Sequence, residues 1–172
     1  MRMRIPARLR ARILLWCLAQ MRRILPVRIV RAGRGPYLDR YVVLRSWLTN
    51  VYIHHFRDAD VGVDPHDHPW PFITFVLAGG YVEEIYDPAS GRARGIAVRR
   101  LGDVVLHGAR HTHRIAGLGT SPGECVAVTL VVTGPRVRRW RFYDRTARRW
   151  VPSERYISAR GLGPRPVAAT DG

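Results

Sequence analysis

The feature that most constrains the fold is a succession of about ten short segments of strand-like composition with no helical pattern between them. Each segment is rich in β-branched and aromatic residues, and turns that contain Gly or Pro divide them. They span residues 36–45, 48–56, 71–78, 81–86, 92–100, 103–107, 112–116, 125–132, 139–143 and 148–151. Many short strands without alternating helices predict an all-β sandwich or barrel and argue against a βαβ fold.

One turn in this pattern makes a sharper prediction. The dipeptide Gly79-Gly80 separates the segments 71–78 and 81–86. A two-residue glycine loop favours the tight turns that join adjacent antiparallel strands. The two segments are therefore expected to form a hairpin.

A helix is expected only near the N-terminus. Residues 7–25 are dominated by Ala, Leu, Arg, Met and Gln, and Pro26 ends the run. Its apolar residues share one face, which consists of Leu14, Leu18, Met21 and Leu25. This face either docks on the barrel or lies on an anionic membrane surface.

We divide the chain into three parts on these grounds. Residues 1–36 form a basic N-terminal helix and linker, residues 37–157 form the β-barrel, and residues 158–172 form a flexible C-terminal tail.

The positive charge of the chain is concentrated at its two ends. The net charge is +16, of which residues 1–45 contribute +11, residues 46–135 contribute −2 and residues 136–172 contribute +7. Such an asymmetry favours an anionic partner for the ends, such as nucleic acid, a membrane surface or an acidic protein. A solvated arginine-rich surface is the alternative interpretation.

Cysteine content and hydropathy predict a cytoplasmic protein. Cys17 and Cys125 are the two cysteines, too few for a disulfide framework or a zinc ribbon. No stretch of the sequence approaches the roughly 20 apolar residues of a membrane span. We therefore expect no transmembrane segment.

The histidines are the strongest functional signal. All seven lie between His54 and His113, and four of them form two His-x-His pairs, His66/His68 and His111/His113. In an extended segment, residues two apart point to the same side, so one pair can bind one metal ion. Imidazole suits Zn, Fe, Cu and Ni alike, and the ligand type alone does not identify the metal.

Two stretches around these pairs resemble the two cupin sequence motifs. Residues 62–79 (GVDPHDHPWPFITFVLAG) place two histidines and a hydrophobic strand before a glycine turn, and residues 102–113 (GDVVLHGARHTH) open with Gly-Asp and end on histidine. The likeness extends over about residues 37–156 and implies a cupin-type double-stranded β-helix, or jelly roll. The string His-Asp-His-Pro-Trp is also similar to small uncharacterised bacterial and phage cupin-like proteins.

The resemblance implies a mononuclear metal site with His66, His68 and His113 as ligands; His111 and His107 are weaker candidates. A glutamate ligand usually follows the second histidine of the first motif by four or five residues. Phe72 and Ile73 stand at those positions here. Three histidines leave an open coordination face, similar to cupin dioxygenases that use Fe(II) and dioxygen. The same departure could mark a site that has lost its metal.

Several neighbouring residues are candidates for supporting roles. Glu83, His55 and Tyr81 are the candidate catalytic residues, with either Glu83 or Glu84 facing inward as a ligand or general base. His55 is expected to face the barrel interior and His54 to face outward. Asp64 and Asp67 are candidates to accept hydrogen bonds from the ligand imidazoles.

Three functions follow from these observations. The first is a metalloenzyme acting on a small molecule, an Fe(II)-dependent dioxygenase-like oxidoreductase or an isomerase, with Zn, Mn or Ni as alternative metals. The second is a non-catalytic binding or sensing module whose arginine-rich ends contact nucleic acid, membrane or protein. The third is a degenerate cupin that serves structure or assembly. A homodimer is compatible with all three.

Overall fold

The computed structural model describes residues 7–32, 35–60, 62, 64–120 and 126–162. They form helix α1 (Ala7–Ile24), strands β1 (Val27–Ala32), β2 (Gly35–Arg45), β3 (Asn50–Phe56), β4 (Phe72–Tyr86), β5 (Ala93–Arg100), β6 (Val104–His107), β7 (Thr112–Leu118), β8 (Ala127–Thr133), β9 (Arg141–Asp144) and β10 (Arg149–Pro152), and helix α2 (Ser153–Ala159). Cys125 and the predicted tail beyond residue 162 lie outside the described residues.

Strand β4 is the element on which the topology depends. The main sheet runs in the order β1-β2-β3-β8-β4-β5, and β6 and β7 also pair with β4. All these pairings are antiparallel. The first half of β4, up to Gly79, pairs with β6 and β8, and the half from Gly80 pairs with β5 and β7. One strand therefore joins two sets of partners, as in a closed all-β barrel.

The predicted hairpin at Gly79-Gly80 is wrong, because the chain continues through both glycines as one strand of 15 residues. Gly79 has a φ of +61°, and a register shift in the pairing with β8 lies between Val76 and Ala78. The glycines here allow a bend within a strand rather than a turn between two strands. A Cβ at Gly79 would lie 1.8 Å from the carbonyl oxygen of Val126, so the chain entering β8 passes too close for any side chain.

Helix α1 docks on the barrel through the face that the sequence predicted. Leu18 is buried against Tyr41 and Val128, and Leu14, Met21 and Leu25 pack around them. The opposite face of the helix is exposed and carries Arg12, Trp16, Arg22 and Arg23. None of the helices in the described part of the chain has the length and hydropathy needed to cross a bilayer.

Two elements differ from the sequence expectation. Strand β1 forms in the segment predicted to be linker, where its alternating β-branched residues pair with β2. Helix α2 follows β10 and buries Tyr156, whose ring stacks on Phe142 with centroids 4.2 Å apart. Both elements are too short for composition alone to predict them.

The close approach at Gly79 leads to a stability prediction. Gly79→Ala is expected to lower the free energy of unfolding by about 2 kcal/mol or more, because the substitution adds both a backbone clash and a strained φ. Gly95→Ala is the matched control, since a Cβ at that position would meet no atom within 4 Å and the φ of Gly95 is not positive. Urea unfolding measures both, and equal effects of the two substitutions would contradict this account of β4.

Candidate metal centre

Backbone pairing brings the two histidine pairs together. The backbone N–H of His66 donates to the carbonyl of His113 at 2.9 Å, and the N–H of His113 donates to the carbonyl of His66 at 3.0 Å. The two residues therefore lie directly opposite each other in an antiparallel bridge. His68 lies two residues further along the same extended segment, so its side chain points to the same side as that of His66.

The side chains of these histidines converge on one point. The candidate ligand atoms of His66, His68 and His113 all lie within 4.8 Å of one another. Nε2 of His68 is 2.8 Å from Nε2 of His113. Two nitrogens that bind one metal at about 2.1 Å are about 3.0–3.4 Å apart, so small shifts would suffice to admit an ion. The donor set thus fits a transition metal that accepts imidazole.

Glu83 lies behind this group and is hydrogen-bonded to one of its members, His113. Its side chain is fully buried, and Oε1 is 2.7 Å from Nδ1 of His113 and 2.6 Å from Nε2 of His111. Nε of Arg99 donates to Oε2 at 2.7 Å. Burial by itself raises the pKa of Glu83, but hydrogen bonds from His111, His113 and Arg99 outweigh it and hold the pKa well below its usual range.

The ionised state of Glu83 determines the tautomer of His113. A carboxylate can only accept hydrogen bonds, so Nδ1 of His113 carries the proton and Nε2 keeps its lone pair. That lone pair faces His68. Carboxylates commonly hold metal-binding histidines in this orientation.

A second set of donors shares His113. The ligand atoms of Glu83, His111 and His113 also lie within 4.8 Å of one another. The Glu83 oxygens, however, already accept bonds from both histidines, and the guanidinium of Arg99 lies against Oε2. A positive charge at that place opposes a cation. The set of three histidines is therefore the better metal site.

His111 and His107 lie beside the triad without joining it. Nε2 of His111 is engaged with Glu83. His107 is 3% exposed, and its ring stacks on Phe72 with centroids 4.6 Å apart. Burial, followed by the charge of His111, lowers the pKa of His107 to about 3. His107 belongs to neither of the two donor sets found among the described residues.

The expected glutamate is replaced by an aromatic wall. Phe72 packs edge-on against His68 with ring centroids 4.4 Å apart. It also lines the cavity next to the triad. The side of the triad that Phe72 covers is therefore apolar.

The triad opens into a cavity of about 230 Å³. Its walls combine aromatic, apolar and basic residues. They include Arg28, Tyr37, Arg40, Tyr52, His54, Phe56, Trp70, Tyr81, Ile115 and Trp140. Nε1 of Trp140 is buried and has no hydrogen-bond partner. The cavity is smaller than the roughly 300–1,000 Å³ of sites for drug-sized ligands, so it suits a small molecule.

The orientations of His54 and His55 are the reverse of the prediction. His54 lines the cavity, where Nε2 accepts a hydrogen bond from Nε of Arg40 at 3.0 Å. His55 lies on the other side of β3, with Nδ1 3.7 Å from the buried Asp39. Burial, and then the charge of Arg40, lowers the pKa of His54 well below its usual value. Alternation along β3 is as predicted, but the sequence does not reveal which face points inward.

The roles predicted for Asp64 and Asp67 are also wrong. Asp67 accepts bonds from the backbone and side chain of Arg141, and Asp64 accepts from Tyr156. Both carboxylates anchor the histidine segment to β9 and α2 rather than contacting an imidazole. The carboxylate that faces His66 is Asp60, whose Oδ2 is 3.8 Å from Nδ1.

Asp60 is a residue of the site that the sequence does not single out, although it lines the cavity. Oδ2 accepts the backbone N–H of Ile115 at 2.8 Å, which ties the carboxylate to β7. Burial raises the pKa of Asp60, and the Ile115 bond opposes that effect. Asp60 follows β3 in the chain and reaches the triad only because this segment lies next to β7 in space. Its spacing from the histidines in the sequence does not indicate this contact.

Tyr81, the third catalytic candidate, lies in the cavity wall and is 4% exposed. Burial raises its pKa, and the charge of Glu83 acts in the same direction. The phenol therefore stays protonated and can donate a hydrogen bond to a ligand.

Comparisons with known proteins agree with this architecture. Neither the protein-family models nor the curated proteins contain a match to the sequence. Among solved structures, Fe(II)-HppE with the alternative substrate (S)-1-HPP is similar, with a TM-score of 0.52 and 13% identity over 64% of this chain. The chain spans only 56% of the length of that protein.

Two further similar structures are smaller proteins. One is an uncharacterised conserved protein with a double-stranded β-helix domain from Klebsiella pneumoniae (TM-score 0.47, 19% identity, 68% of this chain and 92% of that one). The other is a cupin superfamily protein from Desulfitobacterium hafniense (TM-score 0.44, 16% identity, 60% and 82%). The strand topology and the likeness to Fe(II)-HppE show a barrel of the same kind, and the predicted all-β fold class with an N-terminal helix is confirmed.

The buried His107 leads to a prediction about pH. Its folded pKa of about 3 lies below the ordinary value of 6.5, so the unfolded chain takes up the proton first and stability falls as the pH drops below about 6.5. At pH 5, His107 alone is expected to account for about 2 kcal/mol of lost stability in metal-free protein. Urea unfolding between about pH 7.5 and pH 5 measures this loss.

His107→Asn is the matched variant for this test. The half-buried His54, His66 and His68 act in the same direction, because burial lowers their pKa values as well. The stability of the variant should therefore still fall with falling pH, but by up to about 1.4 kcal/mol less per pH unit than that of the parent. Identical slopes for the two proteins would show that His107 titrates normally in the folded state.

Proposed function

We propose that His66, His68 and His113 hold one divalent transition metal, and that the protein is a mononuclear non-haem metalloenzyme acting on a small molecule. Fe(II) with dioxygen-dependent, dioxygenase-like chemistry is the favoured assignment. The carrying observation is the convergence of three imidazoles within 4.8 Å beside a cavity. When bound, such a metal supplies Lewis-acid or redox chemistry at its open coordination positions.

The roles of the chain's own residues follow from their contacts. Glu83 is a positioning residue, because its oxygens accept hydrogen bonds from three donors and it is not among the described residues that line the cavity. Tyr81 is proposed as a hydrogen-bond donor to the ligand. His55 lies outside the residues that line the cavity, so we assign it no part in the reaction. Phe72 and Trp140 present aromatic surface to His68 and His66 beside the proposed metal position.

The comparisons support this proposal at the level of the fold. Fe(II)-HppE combines Fe(II) and a substrate with a similar fold, but one barrel serves many chemistries. Lewis-acid isomerase chemistry with Zn, Mn or Ni is the nearest variant of the proposal. The identity of the bound metal distinguishes the dioxygenase-like chemistry from the isomerase chemistry.

The non-catalytic alternative concerns the ends of the chain. The exposed face of α1 carries Arg12, Arg22 and Arg23 next to Trp16, which suits an anionic partner. This partner and a homodimer remain predictions. They are compatible with a metal site and do not compete with it.

Metal content is the primary test. Untagged protein is expected to contain near-stoichiometric Fe, Mn, Ni or Zn by elemental analysis, and the double variant His66→Ala/His68→Ala is expected to lose it. His55→Ala is the matched control, because it removes a histidine on the outer side of β3. Little metal in the parent protein, even after anaerobic reconstitution with Fe(II), would overturn the metalloenzyme proposal.

The orienting role of Glu83 predicts a second effect on metal binding. Glu83→Gln is expected to weaken metal affinity by about 10- to 100-fold, because the tautomer and direction of His113 are no longer held. Glu84→Gln is the control, since Glu84 is the next residue on β4 and pairs with Arg114 rather than with a histidine. Competition with a metal-sensing dye measures both affinities, and circular dichroism checks the fold. Equal affinities would remove Glu83 from the site.

A further inference from the structure

A row of four polar residues on neighbouring strands forms part of the cavity wall. Arg28 on β1 is paired with Arg40 on β2, Arg40 with His54 on β3, and His54 with Thr129 on β8. All four residues line the cavity that contains the histidine triad. Two guanidinium groups are therefore neighbours on the same face of adjacent strands.

Arg40 is fixed in place and has no negative partner. Its Nε donates to Nε2 of His54 at 3.0 Å, and its guanidinium lies over the ring of Tyr52 at 5.1 Å from the centroid. No carboxylate of the described residues forms an ion pair with it, and the one charged side chain among the causes that shift its pKa is the like-charged Arg28. Burial lowers the pKa of Arg40, which is the direction expected for a cation without a counter-ion.

Other partly buried arginines of the barrel have a carboxylate partner. Arg99 pairs with Glu83, Arg114 with Glu84, and Arg141 with Asp67. Partly buried arginines of this protein thus generally have a carboxylate, and Arg40 is an exception among the described residues. Like charges opposite each other on adjacent strands repel, so Arg28 makes the position of the Arg40 cation less favourable still.

Among the described residues that line the cavity, two arginines stand against one carboxylate. Asp60 is the one carboxylate among the described residues that line it, and it is engaged with Ile115. Nε1 of Trp140 is a buried donor without an acceptor. Because Nε of Arg40 is occupied by His54, its two terminal amino groups form the free edge of the guanidinium. That edge matches two oxygens of one anion.

We infer that the cavity binds a small organic oxyanion, a carboxylate or a phosphonate or phosphate ester, with its charged group on the terminal amino groups of Arg40. Arg28 adds a second positive charge at the same wall. The rest of the ligand extends toward His66, His68 and His113, and this last placement rests on the proposed function. A cavity of about 230 Å³ limits the ligand to a small acid.

Calorimetric titration with chosen probes tests the inference. The probes are propionate, methylphosphonate and propionamide, the last being the uncharged counterpart of the first. The metal-loaded parent protein is expected to bind at least one anion and to discriminate against the amide. Preference for propionate or for methylphosphonate identifies which oxyanion is recognised. Binding of neither anion, or equal binding of the amide, overturns the inference.

Variants of Arg40 locate the binding group. Arg40→Gln is expected to weaken anion binding by about 10- to 100-fold, the range for loss of charged hydrogen bonds, and Arg40→Lys should restore part of it. Arg45→Gln is the control, because Arg45 is an exposed arginine at the end of the same strand. Without ligand, Arg40→Gln should melt no lower than the parent. A lower melting temperature with undiminished anion binding would assign Arg40 a structural role and overturn the inference.

The same experiment separates this inference from the metal proposal. Metal content is measured for each variant, and the titrations are repeated on protein treated with a chelator. Anion binding that depends on Arg40 in protein without metal supports the oxyanion site while the metal proposal fails. Full metal content without anion binding leaves the metal proposal standing and overturns the oxyanion site.

Discussion

The interaction on which the site depends is the set of three hydrogen bonds to the buried carboxylate of Glu83. An ionised carboxylate with no access to water is costly unless donors surround it, and His111, His113 and Arg99 provide them. The ionised state in turn requires a proton on Nδ1 of His113. One buried charge on β4 therefore sets the tautomer of a histidine on β7 and directs its lone pair into the triad.

The barrel makes this arrangement available through strand β4. Its bend at Gly79 lets the first half pair with β6 and β8 and the second half, which carries Glu83, pair with β5 and β7. Arg99 on β5 and His113 on β7 thus reach the same carboxylate from opposite sides. The bend at Gly79 therefore helps to bring the donors Arg99 and His113 to the buried charge of Glu83.

The cavity has two chemically different walls. Phe72 and Trp140 lie beside the histidines, and Arg40 with His54 lies across the sheet on β2 and β3. A ligand that matches both walls would have a charged end and an apolar end. Helix α1 covers the outer side of the same strands through Leu18, so the basic N-terminal segment also supports the sheet that carries Arg40.

The sequence by itself determined the all-β class, the amphipathic helix and the common direction of the two histidines within a His-x-His pair. These follow from local periodicity and from residue types at short spacing, which act within a few residues of the chain. The tertiary structure decided the rest: which of His54 and His55 faces inward, that Gly79 bends a strand, and that Asp60, Glu83 and Arg40 flank the triad. Those features depend on register between strands distant in the sequence, and a shift by one residue would exchange the two faces.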